Sequence, residues 1–391
     1  MQQAVILAAG EGHRLRPFTA SKPKAMLSLA GKPVLHYVVE ALAENGIRDI
    51  VLVVGYCREQ ILDYLGSGER FGVEIAYVTQ EKRLGTAHAL AQAREKVADE
   101  FLVLSGDKLI EPGTIAQFVT AQPAAVLVKR VDNPARFGVV TLEDEAVRAI
   151  IEQPREAESN LAATRIYALN REVFRFIEAE LAISDVLNKM IAQGERLTAQ
   201  ETKGTWLDIV YPWDVLRLNR VVLRWLDLSL GGTIEREVSL KGPVSVGEGT
   251  IIRANSSLIG PVVIGSGCDI GPNVCILPDT SIGDNVVISP FCEIKGSVIG
   301  SDVSIGAGSI VQDSVVDRGC VIGGHFAALT GETEVKVEGE YHSVRVGAML
   351  GEGCRIGSGV VAQSGATIGN YSEVRPLRLV SGWLPDKSLV Y

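Results

Sequence analysis

Residues 240–294 read LKGPVSVGEGTIIRANSSLIGPVVIGSGCDIGPNVCILPDTSIGDNVVISPFCEI. Aliphatic residues fall at Leu240, Val246, Ile252, Leu258, Ile264, Ile270, Ile276, Ile282, Ile288 and Ile294, six apart without a break. A helix repeats every 3.6 residues and an alternating strand every two, so neither explains a step of six. Gly follows the anchor at 247, 265, 271 and 283. This pattern predicts a hexapeptide solenoid: each anchor points into a prism core, small residues allow tight corners, and stacked coils bury one another's edges. One residue is lost after Ile294, and Ile299, Ile305 and Val311 resume the step. A second array runs Leu350, Ile356, Ala362, Ile368, Val374. Between the arrays, residues 334–346 (EVKVEGEYHSVRV) alternate apolar and polar around Glu338-Gly339, which predicts a protruding hairpin.

Upstream the pattern changes. Apolar runs at 3–9, 49–55, 73–79, 100–105 and 124–131 predict buried strands, and residues 33–45, 57–66, 85–98 and 111–121 predict helices between them. Strands alternating with helices imply a parallel, doubly wound sheet, with ligands at the carboxyl ends of its strands. Gly10, Gln80 and Asp107 follow the first, third and fourth runs. Residues 211–230 predict a connecting helix, and Gly231-Gly232 marks a boundary. The domains are read as 1–228 and 229–391.

The chain has 391 residues, 47% hydrophobic and 22% charged, enough for two sizeable cores. Its formal charge of −9 argues against a sequence-independent grip on nucleic acid. No apolar stretch approaches the length of a membrane span, and Met1-Gln2-Gln3 has no basic leader. Six cysteines (57, 268, 275, 292, 320, 354) include no C-x-x-C pair, which predicts reduced, mostly buried thiols in a cytoplasmic protein.

Residues 7–24 read LAAGEGHRLRPFTASKPK. A glycine turn directly after a strand lets backbone N–H groups approach phosphate. Leu15 stands where a dinucleotide fingerprint needs its third glycine, and no G-K-[ST] exists anywhere. Cations follow instead: Arg14, Lys22 and Lys24. Cations beside a glycine turn suit a triphosphate whose charge grows during attack at phosphorus.

This stretch resembles the signature L-A-A-G-x-G-[ST]-R-L-x-P-x-T…P-K of the sugar-1-phosphate nucleotidyltransferases, departing at one position, and the resemblance extends over nearly the whole chain. A pyrophosphorylase domain followed by hexapeptide repeats is similar to the bifunctional N-acetylglucosamine-1-phosphate uridyltransferase/glucosamine-1-phosphate acetyltransferases, particularly their archaeal branch. The resemblance implies a Rossmann-like doubly wound α/β domain followed by an all-β left-handed parallel β-helix, which in such families usually forms a homotrimer. It implies attack of a sugar 1-phosphate on the α-phosphate of a nucleoside triphosphate, with pyrophosphate leaving. Leu7, Ala9, Gly10, Gly12 and His13 would cradle the nucleotide, Arg14 would polarise the triphosphate, and Lys24 would stabilise the reacting phosphate. Mg²⁺ would be held by Asp107 and Asp208; either alone would read as a solvated loop aspartate. Gln80, Gly85 and Thr86 match positions that contact uracil or thymine, favouring UTP or dTTP, although Thr86 also reads as a helix N-cap. Gly138 and Glu152 match sugar-binding positions, and Arg165 joins them as a candidate sugar-binding residue.

Several positions depart from the resembled pattern. His13 replaces Thr or Ser. Ala163-Thr164-Arg165 replaces N-x-G, putting a long cation, Arg165, beside the sugar pocket. Lys108 follows Asp107, and Val210 stands where many relatives have Gly. In the second half Phe291 occupies the position of the acetyltransferase histidine and cannot act as a base. His325 is then the better candidate base, with acetyl-CoA required only if that activity exists; His342 is the other histidine there. The reading is a nucleotidyltransferase making UDP-N-acetylglucosamine, UDP-glucose or dTDP-glucose. The alternatives are a bifunctional enzyme that also acetylates glucosamine 1-phosphate, and a non-catalytic regulatory paralogue that binds nucleotide sugar.

Overall fold

The computed structural model describes residues 1–179, 181–226 and 229–391. Asp227 and Leu228, the latter ending the first domain as read from sequence, lie outside the described residues. Two compact units emerge. The first comprises Met1–Glu11, Lys22–Met26 and Val34–Asp208; the second comprises Gly12–Ser21, Leu27–Pro33 and Ile209–Tyr391.

The first unit is built on a nine-stranded sheet. Strands Glu74–Thr79, Asp49–Val54, Gln3–Ala8 and Glu100–Ser105 lie side by side in that order, all parallel. Successive side chains in a strand point to opposite faces, and here both faces are buried. Ala4, Ile6, Ile50 and Leu52 pack with Leu35, Val38 and Leu42 of the helix Val34–Glu44. Val5, Val51 and Val53 pack on the other face with Ala87 and Leu90 of the helix Thr86–Gln92. Continuous apolar runs follow from this two-sided burial.

Beyond Glu100–Ser105 the sheet is mixed. Leu161–Asn170 runs antiparallel to Glu100–Ser105 and to Ala125–Arg130. The run at 124–131 has the same direction as the parallel set but is separated from it by Leu161–Asn170, because an apolar run carries no information on which strand lies beside it. The helices expected at 85–98 and 211–230 are shorter, Thr86–Gln92 and Asp214–Val222. The latter starts late because the Asp214 carboxylate accepts from Val210 N and Tyr211 N (2.8 and 2.9 Å), closing a turn around Pro212.

The second unit is a left-handed β-helix with three parallel sheets of nine, eight and eight short strands. Ile252, Ile270, Ile288, Ile305, Ile322 and Ile356 stack in one column, each at most 3% exposed. Three hexapeptides make one coil, so every third anchor meets its like. The step from Ile322 to Ile356 is longer because the antiparallel pair Gly331–Val337 and Glu340–Val346 is inserted, with Glu338-Gly339 at its turn. Corners take left-handed backbone: Asn273, Phe291, Gly308 and His325 occupy one corner with φ of 57, 64, 70 and 58°. At Gly308 a Cβ would sit 2.7 Å from the His325 ring, so glycine lets that ring lie over the corner. All six cysteines are free, and four of them are buried. Among the described residues no helix is long and apolar enough to cross a membrane.

Candidate active site

The parallel strands of the first unit end beside a cavity of about 280 Å³. Leu7, Ala9, Gly10, Lys24, Gln80, Gly85, Thr86, Asp107 and Arg165, all named from sequence, line it. At its wall Lys24 Nζ lies 2.5 Å from Asp107 Oδ2 and 3.6 Å from Asp208 Oδ1. Asp107 is fixed by Ser105, whose hydroxyl donates to its Oδ1 at 2.7 Å, and by Gly106 N, which donates to Leu7 O. A small antiparallel pair, Lys108–Ile110 with Trp206–Asp208, sets Asp208 directly opposite Lys108. Lys108 Nζ then reaches Asp208 Oδ2 at 2.5 Å.

Two ammonium groups and two carboxylates thus share a largely buried spot. Burial disfavours charge on all four. For Lys24 the nearby Asp107 and Asp208 outweigh burial and hold the ammonium above its ordinary value. Asp107 is likewise opposed by burial, yet Lys24 and Lys108 drive its carboxyl well below the usual range. Lys108, 3% exposed, goes the other way: burial pushes it down despite both aspartates. Its side chain is committed to Asp208, so this departure is an ion pair, not an exposed cation.

Mg²⁺ is bound by one or two carboxylates, completed by water and phosphate oxygens. Asp107 and Asp208 converge on one ammonium, and this donor set fits such an ion. No cluster of three or more metal-ligating side chains occurs among the described residues, so substrate oxygens would complete the shell.

Gln80 is 4% exposed. Its Nε2 donates to Gly85 O at 3.0 Å and lies 3.0 Å from His88 Nδ1. Gln80 lines the cavity, and its amide oxygen is the type of acceptor that the N3–H of a pyrimidine imide needs. Gly85, rather than Thr86, is the N-cap of its helix, at φ 119°. A Cβ on Gly85 would lie 2.2 Å from Leu181 O, so glycine is required by the protein's own backbone. Thr86 Oγ1 accepts from Ile183 N at 3.1 Å, tying the same two segments together. Arg83, not singled out from sequence, also lines the cavity and pairs with Glu11 at 3.0 Å.

A second cavity, about 350 Å³, is lined by Glu152, Arg165, Tyr167 and residues 181–184, among others. Gly138 and Glu152 are register partners in adjacent strands. A Cβ at 138 would meet the Glu152 carboxylate at 3.2 Å, so glycine leaves room for that side chain. Arg165 Nη2 lies 3.4 Å from Glu152 Oε2.

Gly12, His13 and Arg14 belong to the second unit. Thr19 Oγ1 donates to Gly12 O at 2.7 Å and closes the turn. Arg14 Nε is bonded to Glu338 Oε2, at the hairpin turn, at 2.6 Å. His342 of the same hairpin packs its ring on Tyr211, 4.4 Å between centroids. Val210 does not have left-handed backbone, so valine replaces glycine there without strain. Phe291 is 69% exposed at its corner, and His325 stands two coils further along the same corner.

A family model for nucleotidyl transferases matches residues 3–223, and one for the GMPPB C-terminal domain matches residues 258–368. The bifunctional protein GlmU of Methanococcus maripaludis is 38% identical over 405 residues, covering 99% of this chain and 97% of that protein. A bifunctional sugar-1-phosphate nucleotidylyltransferase/acetyltransferase of Sulfurisphaera tokodaii is 34% identical, covering 97% of each. Among solved structures, a Bacillus anthracis protein described as a glucose-1-phosphate thymidylyltransferase, in complex with sucrose, superposes with a TM-score of 0.53 at 31% identity. The match covers 58% of this chain and 97% of that one. With its glycine turn, its paired lysines and aspartates and its hexapeptide prism, the chain belongs to the nucleotidyl transferase family, in the sugar-1-phosphate branch that carries a C-terminal β-helix.

Proposed function

We propose that the protein joins a pyrimidine nucleoside triphosphate, UTP or dTTP, to a hexose or N-acetylhexosamine 1-phosphate, releasing pyrophosphate. The observation that carries this reading is Lys24 lying between Asp107 and Asp208 on the cavity wall. An oxygen of the sugar phosphate attacks the α-phosphorus, and the bond from the α-phosphorus to the pyrophosphate oxygen breaks. Negative charge grows on the oxygens in flight, and a pre-placed ammonium stabilises it without reorganisation. Lys24 is that group, Asp107 and Asp208 would hold Mg²⁺, and Gln80 Oε1 would receive the base. Held by Asp107 and Asp208, Mg²⁺ would supply positive charge to neutralise the phosphates. Arg14 would bind the outgoing phosphates after exchanging Glu338 for them. Gly138 and Glu152 would receive sugar hydroxyls. The β-helix would serve mainly as a homotrimer scaffold.

The test is pyrophosphate release with each of UTP, dTTP, GTP and ATP against a panel of sugar 1-phosphates and Mg²⁺. Turnover confined to a pyrimidine nucleotide and one or two sugars is expected. Turnover with purine nucleotides alone would remove the Gln80 assignment, and none with any pair would remove the reaction.

A second reading adds acetyl transfer to glucosamine 1-phosphate. It is favoured by the bifunctional relatives at 34–38% identity and opposed by Phe291 at the corner where a histidine base is expected. His325 would then be the base. Thiol release from acetyl-CoA that depends on glucosamine 1-phosphate and disappears in His325→Ala supports it; no release removes it.

A further inference from the structure

The strand Leu161–Asn170 is buried along almost its whole length, with Arg165 its single exposed residue. Its register with Ala125–Arg130 breaks between Ala163 and Tyr167. Within the break Arg165 takes φ 62°, a left-handed conformation that a long side chain rarely adopts. The neighbours hold it there. Thr164, fully buried, donates its hydroxyl to Leu127 O at 2.7 Å and accepts at its carbonyl from Trp206 Nε1 at 2.8 Å. Such irregularities re-aim a side chain, and strain of this kind points to function. Glycine in the resembled pattern would adopt this backbone freely; here an arginine is kept in it.

Arg165 is aimed at a junction. It lines both the cavity that holds Lys24, Asp107 and Gln80 and the one that holds Glu152 and Tyr167, and among the described residues it is the one charged side chain common to their linings. In the reaction proposed above, the phosphate of the sugar 1-phosphate must lie at that junction, because it links the sugar to the α-phosphorus. The other cations nearby are committed: Lys24 and Lys108 each sit 2.5 Å from an aspartate. The Arg165–Glu152 pair is longer, 3.4 Å, and its side chains are 44% and 38% exposed. A half-exposed pair of this kind is weak and readily exchanges its partner. Guanidinium, moreover, matches two phosphate oxygens at once.

We infer that Arg165 is the residue that binds the phosphate of the incoming sugar 1-phosphate, releasing Glu152 for the sugar hydroxyls as it does so. This rests on the nucleotidyltransferase reading, and it makes a substitution at a sugar-pocket position into a determinant of affinity for the acceptor.

Equilibrium dialysis tests it. Labelled glucose 1-phosphate and N-acetylglucosamine 1-phosphate are measured with Mg²⁺ and α,β-methylene UTP, on the wild-type chain, Arg165→Gln and Arg165→Lys, with free N-acetylglucosamine and glucuronate as controls. The expected result is a loss of about tenfold or more in sugar 1-phosphate affinity in the Gln variant. The Lys variant should recover part of it, free-sugar and glucuronate binding should not change, and thermal unfolding should stay near wild type. Unchanged sugar-phosphate affinity in the Gln variant would overturn the inference. An equal loss for free sugar, or a loss for glucuronate, would also overturn it, by assigning Arg165 to the ring or to a carboxylate. Pyrophosphate release by the wild-type chain reports separately on the reaction. Turnover with Arg165-independent binding removes only this inference, whereas Arg165-dependent binding without turnover removes only the reaction.

Discussion

The prism and the cleft place residues by opposite rules. In the prism one environment recurs: Ile252, Ile270 and Ile288 meet like residues above and below. Removing one leaves the coils on either side with the same register. In the cleft no environment recurs. Lys24, Asp107 and Asp208 come from three separate parts of the chain to share one spot, and the aspartates hold the Lys24 ammonium above its ordinary value while Lys24 holds the Asp107 carboxyl below its own. Repetition makes a stable scaffold, and convergence of unlike residues makes chemistry.

The largest expected effect lies in the prism. Ile276 is completely buried between Leu258 and Ile294, and Ile276→Ala removes packed methyl groups that these fixed neighbours cannot refill. Denaturant unfolding should show a loss of about 2–5 kcal/mol, while pyrophosphate release per folded molecule stays close to wild type. A comparable loss of activity in the folded protein would mean that the two regions are not separable in this way.

A smaller effect is expected where the hairpin meets the phosphate-loop arginine. If Arg14 binds the triphosphate as proposed, Glu338→Ala removes the carboxylate that the nucleotide would otherwise displace. KM for the nucleotide should fall about two- to fivefold, the range of a half-exposed ion pair, with kcat unchanged. A rise in KM would show that Glu338 positions Arg14 instead of occupying it.

The smallest concerns Glu352. Burial works against its charge, but Ser21, Tyr371 and Arg318 donate to it at 2.7, 2.9 and 3.0 Å and hold its carboxyl below the ordinary value. A carboxyl lowered in the folded state contributes stability above its unfolded pKa, and that contribution is lost as pH falls through the folded value. The stability gap between wild type and Glu352→Gln should therefore be about 1 kcal/mol or less at pH 7 and close as the solution is acidified below the ordinary glutamate range. A gap independent of pH would assign the effect to packing.

The same contrast explains what could be read in advance. Hexapeptide anchors announce themselves because burial at a fixed step leaves a fixed trace; so do two-sided strands such as 49–54. Strand order does not, and nothing in the run at 125–130 tells that Leu161–Asn170 separates it from Glu100–Ser105. In the cleft, residue types were legible and pairings were not. The stretch 80–86 suggested contacts to a base, yet Gly85 is a glycine because of Leu181 O, and Thr86 serves Ile183 N. These partners lie about a hundred residues away, and nothing local encodes them. Arg165 was legible as a cation beside the sugar pocket, but its register break, its left-handed backbone and its pairing with Glu152 were not. Arg14 was legible as a phosphate-loop cation, but not as a partner of Glu338, 324 residues along the chain.

The most direct measurement compares pyrophosphate release by wild type and Lys24→Ala with UTP, N-acetylglucosamine 1-phosphate and Mg²⁺, alongside thermal unfolding of both. If Lys24 is the group that stabilises the reacting phosphate, turnover should fall by about 10²–10³ while a cooperative transition is retained. Turnover within a few-fold of wild type in the folded variant would contradict that role and the arrangement of the cleft built around it.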